Sequence, residues 1–119
     1  MVNLSYLSQI YHISRRWFDI PLMVVFMSLI GKTVVVKEKK QVAGFAVRTG
    51  DYLHYMAVSA EYKGQGYGKR LFLKILPKIK SLCVKVRNYR AVRFYKSFGF
   101  RIAKREAWIT GPRYIMERS

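Results

Sequence analysis

Within this 119-residue sequence, the stretch Lys63-Gly64-Gln65-Gly66-Tyr67-Gly68 carries the residue types and spacing best suited to chemistry. Glycines let successive backbone N–H groups converge without Cβ interference, and a helix starting there adds a partial positive end, so such a loop binds phosphate. Lys63, Lys69 and Arg70 add formal charge beside it. Two phosphate-loop patterns fail against it. A Walker A loop needs a Lys followed by Ser or Thr for magnesium, whereas Lys69 is followed by Arg70. A dinucleotide fingerprint needs a third glycine where Lys69 stands.

The elements around the loop follow from periodicity. Leu4, Leu7, Ile10 or Tyr11, and Ser14 recur at helical spacing, which predicts a short amphipathic helix. Asp19-Ile20-Pro21 reads as a second helix start, residues 22–29 continue it, and Gly31 closes it. Residues 33–37 form a β-branched strand, Glu38-Lys39-Lys40 a turn, and residues 42–47 the returning strand. Thr49-Gly50-Asp51 is a further turn, and residues 52–58 complete an antiparallel meander. Beyond Ser59 the pattern alternates. Gly68, Leu71, Phe72, Ile75, Leu76 and Ile79 share one helix face, with Lys69, Arg70 and Lys74 turned away. Leu82, Val84 and Val86 alternate as a strand, and Ala91, Phe94, Tyr95 and Phe98 line a last helix ended by Gly99. Residues 100–107 and 108–116 are expected as a final strand pair, separated or bent near Thr110-Gly111-Pro112. The order is mixed α/β, and the β-loop-α-β unit over residues 52–86 predicts two parallel neighbouring strands.

One domain accommodates all of this. It comprises an N-terminal helix and meander over residues 21–62 and a basic, ligand-binding half over residues 63–119. The longest uninterrupted apolar run, residues 22–27, falls far short of the ~20 residues that span a bilayer, so no membrane role is expected. With one cysteine, Cys83, the chain builds neither an internal disulfide nor a cysteine-rich zinc site, so it reads as a cytosolic protein without a metal.

Residues 53–71, Leu-His-Tyr-Met-Ala-Val-Ser-Ala-Glu-Tyr-Lys-Gly-Gln-Gly-Tyr-Gly-Lys-Arg-Leu, resemble the acetyl-CoA-binding motif of the GCN5-related N-acetyltransferase (GNAT) superfamily. That motif has Arg or Gln, two residues, Gly, one residue, then Gly or Ala; Lys63, Gly66 and Gly68 occupy these places. Lys63 keeps the charge but lacks the planar fork. A second match, Val86 to Phe100, is similar to the later cofactor motif through Asn88, Ala91, Phe94-Tyr95 and Gly99-Phe100. The resemblance covers roughly residues 21–116. It implies a GNAT-like acyl-CoA N-acyltransferase fold, acetyl-CoA as donor, and transfer to a primary amine. The family usually begins with another strand, for which residues 1–8 are poorly suited; the chain either lacks it or replaces it by contacts in a homodimer.

The resemblance also assigns roles. Backbone groups of Met56 and Val58 would hold the pantetheine and polarise the acetyl carbonyl, Gln65 to Lys69 would hold the pyrophosphate, and Ala57, Lys63 and Gly64 complete the expected donor-binding set. Tyr95 corresponds to the tyrosine that protonates the departing thiolate, although it also falls on an apolar helix face. Asn88 either contacts the donor, caps the helix from Tyr89, or does both. For the base, Tyr52, His54, Met56 and Val58 share a strand face by alternation, so His54 is a candidate for taking the amine proton; a half-buried strand histidine is the plainer alternative. Only six acids exist in the chain, which suits an α-amine with a pKa of about 8 better than a lysine of about 10. His12 is expected on the first helix without a role, and Cys83 as a small packed hydrophobe.

Sixteen Lys and Arg from Lys63 onward meet only Glu106 and Glu117, a balance of +14, while residues 1–62 carry +3. A solvated basic face explains this blandly. The sharper reading is a polyanionic partner, with an acceptor carried on tRNA or DNA, and a non-catalytic nucleic-acid-binding protein on the same fold is a further alternative. No sequence motif names the nucleic acid, and a small amine or a peptide remains an alternative acceptor.

Overall fold

The computed structural model describes residues 4–18 and 21–118. Helix α1 (Leu4–Trp17) buries Ile10, Ile13 and Ser14, and the Ser14 hydroxyl donates to the Ile10 carbonyl at 2.6 Å, so its burial leaves no polar group unpaired. His12 is exposed on the same helix. Helix α2 (Pro21–Ile30) carries no charged residue and stops at Gly31, whose N–H donates to the Met27 carbonyl at 2.8 Å. A Cβ on Gly31 would come within 2.7 Å of the Arg48 carbonyl, so close approach demands glycine there. Asp19 and Ile20, expected in this helix start, lie outside the described residues.

Strands β1 (Lys32–Glu38), β2 (Gln41–Thr49) and β3 (Tyr52–Val58) form the expected antiparallel meander. Residues 42–47 of β2 are all buried because helices cover both faces of the sheet. Helix α3 (Tyr67–Ile75), β4 (Ser81–Lys85), α4 (Tyr89–Lys96), β5 (Arg101–Glu106) and β6 (Arg113–Glu117) follow, and the sheet runs β1-β2-β3-β4-β6-β5. Among the described residues its N-terminal edge is β1. One core cluster joins α1 and α2 to the sheet through Ile10, Ile13, Val24, Phe45 and Val47; the other joins α3 and α4 to the opposite face through Leu71, Phe72, Val92 and Tyr95.

The structure corrects two expectations from periodicity. Apolar spacing predicts α3 through Ile79, yet the helix ends at Ile75 and tightens into a 3₁₀ turn at Leu76–Lys78, since Pro77 lacks the N–H that would continue it. Ile79 is nevertheless fully buried, and Arg118 donates to the Leu76 and Ile79 carbonyls at 2.7 and 2.8 Å, capping the helix end. The last two strands are separated at Thr110-Gly111-Pro112 rather than bent there, but β6 starts at Arg113 and not at Trp108: residues 108–112 form a loop, with Gly111 at φ 120° and Pro112 without a donor. Residues 101–105 of β5 are all exposed, because β5 is the edge of the sheet.

Phe72 has no exposed surface and holds α3 to α4, with ring centroids 5.3 Å from Phe94, 5.4 Å from Tyr95 and 4.9 Å from Phe98. Phe72→Ala should therefore lower the unfolding free energy by about 3–5 kcal/mol, measured by urea denaturation, with Phe72→Leu losing less than half as much.

Candidate active site

Strands β3 and β4 are parallel neighbours as expected, but only at Tyr52↔Ser81 and Leu53↔Leu82. At this closed end the Asp51 carbonyl accepts from the N–H groups of Lys80 and Ser81, at 2.8 and 3.3 Å. Beyond it the strands part and leave a cleft of about 520 Å³. Which backbone groups face it follows from the ladder on the other side. The Ser59 N–H donates to the Ala43 carbonyl at 2.7 Å, so residues at odd positions here bond to β2. Met56 and Val58 consequently direct their N–H and C=O away from β2, toward the strand that has left. Ala57 lies between them with its side chain buried in the α1–α2 cluster and its backbone paired to Phe45.

The bulge in β3 changes the side-chain faces. The register passes from Val47↔Tyr55 to Arg48↔Leu53, which leaves His54 without an opposite residue. The single face expected for Tyr52, His54, Met56 and Val58 is thereby broken. Met56 and Val58 pack toward α3, whereas Tyr55 packs in the α1–α2 cluster, and the His54 ring lies 4.7 Å from Tyr52 and 6.3 Å from Tyr55.

The glycine loop follows β3 and ends in α3. Gly64 and Gly66 take φ of 79° and 85°, a left-handed geometry that favours glycine, and a Cβ on either would meet nothing within 4 Å. Backbone conformation is therefore what fixes glycine at both. Gly66 is the N-cap and offers no side chain, and the first helical bond runs from Arg70 N–H to the Gly66 carbonyl at 3.1 Å. The N–H groups of Tyr67, Gly68 and Lys69 thus lie at an uncapped helix start, a donor set suited to a phosphate. The Tyr67 hydroxyl donates to Glu38, and the Gln65 amide donates to the Glu61 carbonyl at 3.3 Å. Lys63 does not lean over the loop; its Nζ stands 4.8 Å from the ring centre of Trp17.

Of the residues expected from sequence to take part in catalysis or donor binding, His54, Met56, Asn88 and Tyr95 line the cleft together. Asn88 accepts the Ala91 N–H at 3.2 Å as the N-cap of α4, which leaves its amide N–H₂ for a ligand. Tyr95 is buried, and burial pushes its hydroxyl well above the ordinary tyrosine range, so it stays protonated and can only donate a proton near neutrality. His54 is held below its ordinary value of 6.5, first by burial and then by the charge of Arg113, so it is neutral at pH 7. Its Nε2 lies 2.6 Å from the Thr49 hydroxyl. Cys83 is not simply packed: it is half-buried and lines the cleft, with Sγ 3.8 Å from the His54 carbonyl.

Two features had no signal in local sequence. Trp17, the last residue of α1, donates its indole N–H to the Val58 carbonyl at 2.8 Å, a contact across 41 residues of chain. At the far end, Phe18, Met23, Met27, Trp108, Ile109 and Arg113 wall the cleft from the α1–α2 side and the β5–β6 loop. Among the described residues no group of His, Cys, Asp or Glu comes together to hold a metal.

A family model described as an acetyltransferase (GNAT) domain matches residues 30–102. The peptidyl-lysine N-acetyltransferase YjaB of Salmonella typhimurium is 32% identical over 74 residues, which is 60% of this chain and 51% of that protein. The match thus spans about half the length of that relative. Among solved structures, Ard1 from Thermoplasma volcanium superposes with a TM-score of 0.84 at 20% identity, covering 98% of this chain and 93% of that one. The ribosomal-protein-S18-alanine N-acetyltransferase from Escherichia coli gives a TM-score of 0.75 at 22% identity, covering 98% and 89%. The parted strands, the outward backbone of Met56 and Val58 and the uncapped start of α3 are thus joined to a family match over most of the chain, which belongs to the GNAT acetyltransferase family.

Proposed function

We propose that this protein transfers an acetyl group from acetyl-CoA to a primary amine. The observation that carries the reading is the divergence of β3 from β4 directly before the uncapped start of α3. The loop N–H groups of Tyr67, Gly68 and Lys69 bind the donor pyrophosphate. The N–H groups of Met56 and Val58 and the C=O of Met56, with the Val58 C=O already taken by the Trp17 indole, hold the pantetheine arm in the gap as a strand would, and the N–H groups polarise the thioester carbonyl without reorganising. The amine attacks that carbon. Neutral His54 takes the amine proton, directly or through water, and the C–S bond breaks as the Tyr95 hydroxyl protonates the sulfur.

Calorimetry should show acetyl-CoA binding near one-to-one, and Gly66→Ala should weaken it by about tenfold, because the left-handed conformation costs about 1–2 kcal/mol with a Cβ. Undiminished binding by that variant would remove the loop from the donor site. For Tyr95→Phe the expected result is unchanged acetyl-CoA affinity with kcat lower by about a hundredfold. That is the low end for acid catalysis, since a thiol of pKa about 8.5 leaves tolerably well unaided.

The pH profile tests His54. A base with its pKa depressed below 6.5 gives kcat, at saturating acceptor, an acid limb below 6.5 and a plateau above it. The protonated Tyr95 predicts no alkaline fall up to about pH 9. A limb above 6.5, or one that persists in His54→Asn, takes the role from His54.

A second reading, that the amine is carried on tRNA or DNA, is favoured by the exposed row Arg90, Arg93 and Lys96 on α4 and Arg101 and Arg105 on the uncovered edge strand β5. Phosphate neutralisation by such a row makes affinity fall steeply with salt. Binding of tRNA or duplex DNA that is unchanged between 50 and 200 mM salt, to within about twofold, would dismiss it.

A further inference from the structure

Outward backbone groups of β3, leading on to the glycine loop, account for the donor side of the site; side chains of a different chemistry close the other end of the cleft. Arg113 opens β6 and stands opposite Glu106 in the β5–β6 ladder. Its Nε–H donates to Glu106 Oε1 at 2.6 Å, and its guanidinium carbon lies 3.7 Å from the centre of the Trp108 ring. A planar group held at its edge by a carboxylate and at its face by an indole has a fixed orientation. Glu106 is shared with Lys104, whose Nζ lies 3.4 Å from Oε2, so the three side chains together keep a positive charge. The Nη groups of Arg113 make no hydrogen bond to any described residue, while Arg113 lines the cleft beside Tyr52, His54 and Tyr55. In the next ladder Arg113 stands opposite Lys85, which also lines the cleft.

We propose that Arg113 sets acceptor specificity, and that the acceptor is an α-amino acid with a free carboxylate and an apolar side chain. This rests on the acetyl-transfer reading above. With Nε occupied, the two Nη groups present a pair of donors that matches two carboxylate oxygens. The amine of an α-amino acid is two bonds from its carboxylate, so anchoring one in this corner holds the other near His54. Phe18, Met23, Met27, Trp108 and Ile109 supply the surface for the side chain. The reaction balances as before: the C–S bond of the thioester breaks, a C–N bond forms, the amine proton passes to His54, and the thiolate receives the Tyr95 proton.

The test compares acetyl transfer to phenylalanine and to phenylalanine amide, which differ in the carboxylate, using the full chain, R113Q and R113K, with acetyl-CoA affinity measured in parallel by calorimetry. The expected result is a kcat/KM for phenylalanine about ten- to a hundredfold above that for the amide, the range of a hydrogen bond to a charged group. R113Q should erase the difference by raising KM for phenylalanine alone, with acetyl-CoA affinity unchanged. R113K, which keeps the charge without the fork, should retain only part of it and carries the test if R113Q does not fold. Equal or better turnover of the amide, a preference that survives in R113Q and R113K, or no turnover of either by protein that binds acetyl-CoA would overturn the proposal while leaving donor binding intact. Failure to bind acetyl-CoA overturns the transfer reading and this one with it.

Discussion

The separation of β3 from β4 after two residue pairs is the constraint on which the rest of the site depends. A strand that loses its neighbour leaves N–H and C=O groups that cost about 1–3 kcal/mol each if buried without a partner. The fold tolerates this because the gap is open, and because the Trp17 indole takes up the Val58 carbonyl. The wedge is braced at both ends. The Asp51 carbonyl ties the start of β4 to the turn before β3, and the aromatic cluster around Phe72 fastens α3 to α4 on one face of the sheet. With both helices fixed, the strands can stand apart without collapsing onto each other.

Charge is arranged around this wedge with little acid to spare. Glu38 accepts from Tyr67 in the glycine loop, and Glu106 is tied to Arg113 and Lys104, which together hold its carboxyl below the usual range. Both carboxylates are thus engaged in holding a site residue. The bulge at His54 has a comparable effect on geometry: one extra residue turns the histidine toward Tyr52 and Tyr55 while Met56 and Val58 keep facing the α3 side. One strand therefore lines the cleft with outward backbone groups at Met56 and with the His54 side chain at the bulge.

Much of this was legible along the chain, because it is governed by neighbours in sequence. The glycine loop, the helix that starts in it, the meander over residues 32–58 and the N-cap at Asn88 rest on spacing, capping and turn chemistry within a few residues. Periodicity erred where local chemistry outweighed the apolar pattern. Pro77 ended α3 before Ile79, and Gly111 with Pro112 displaced the start of β6 to Arg113.

The amino-acid sequence by itself determined the family, the glycine loop and the order of elements, since each depends on backbone preferences set by adjacent residues. Only the tertiary structure decided how long β3 and β4 stay paired, where the bulge turns His54, that Trp17 reaches Val58, and that Arg113 is clamped between Glu106 and Trp108 in the wall of the cleft. The physical reason is common to all four. Ladder register and side-chain contacts between distant segments are fixed by packing and closure of the whole sheet, which no window of local sequence contains.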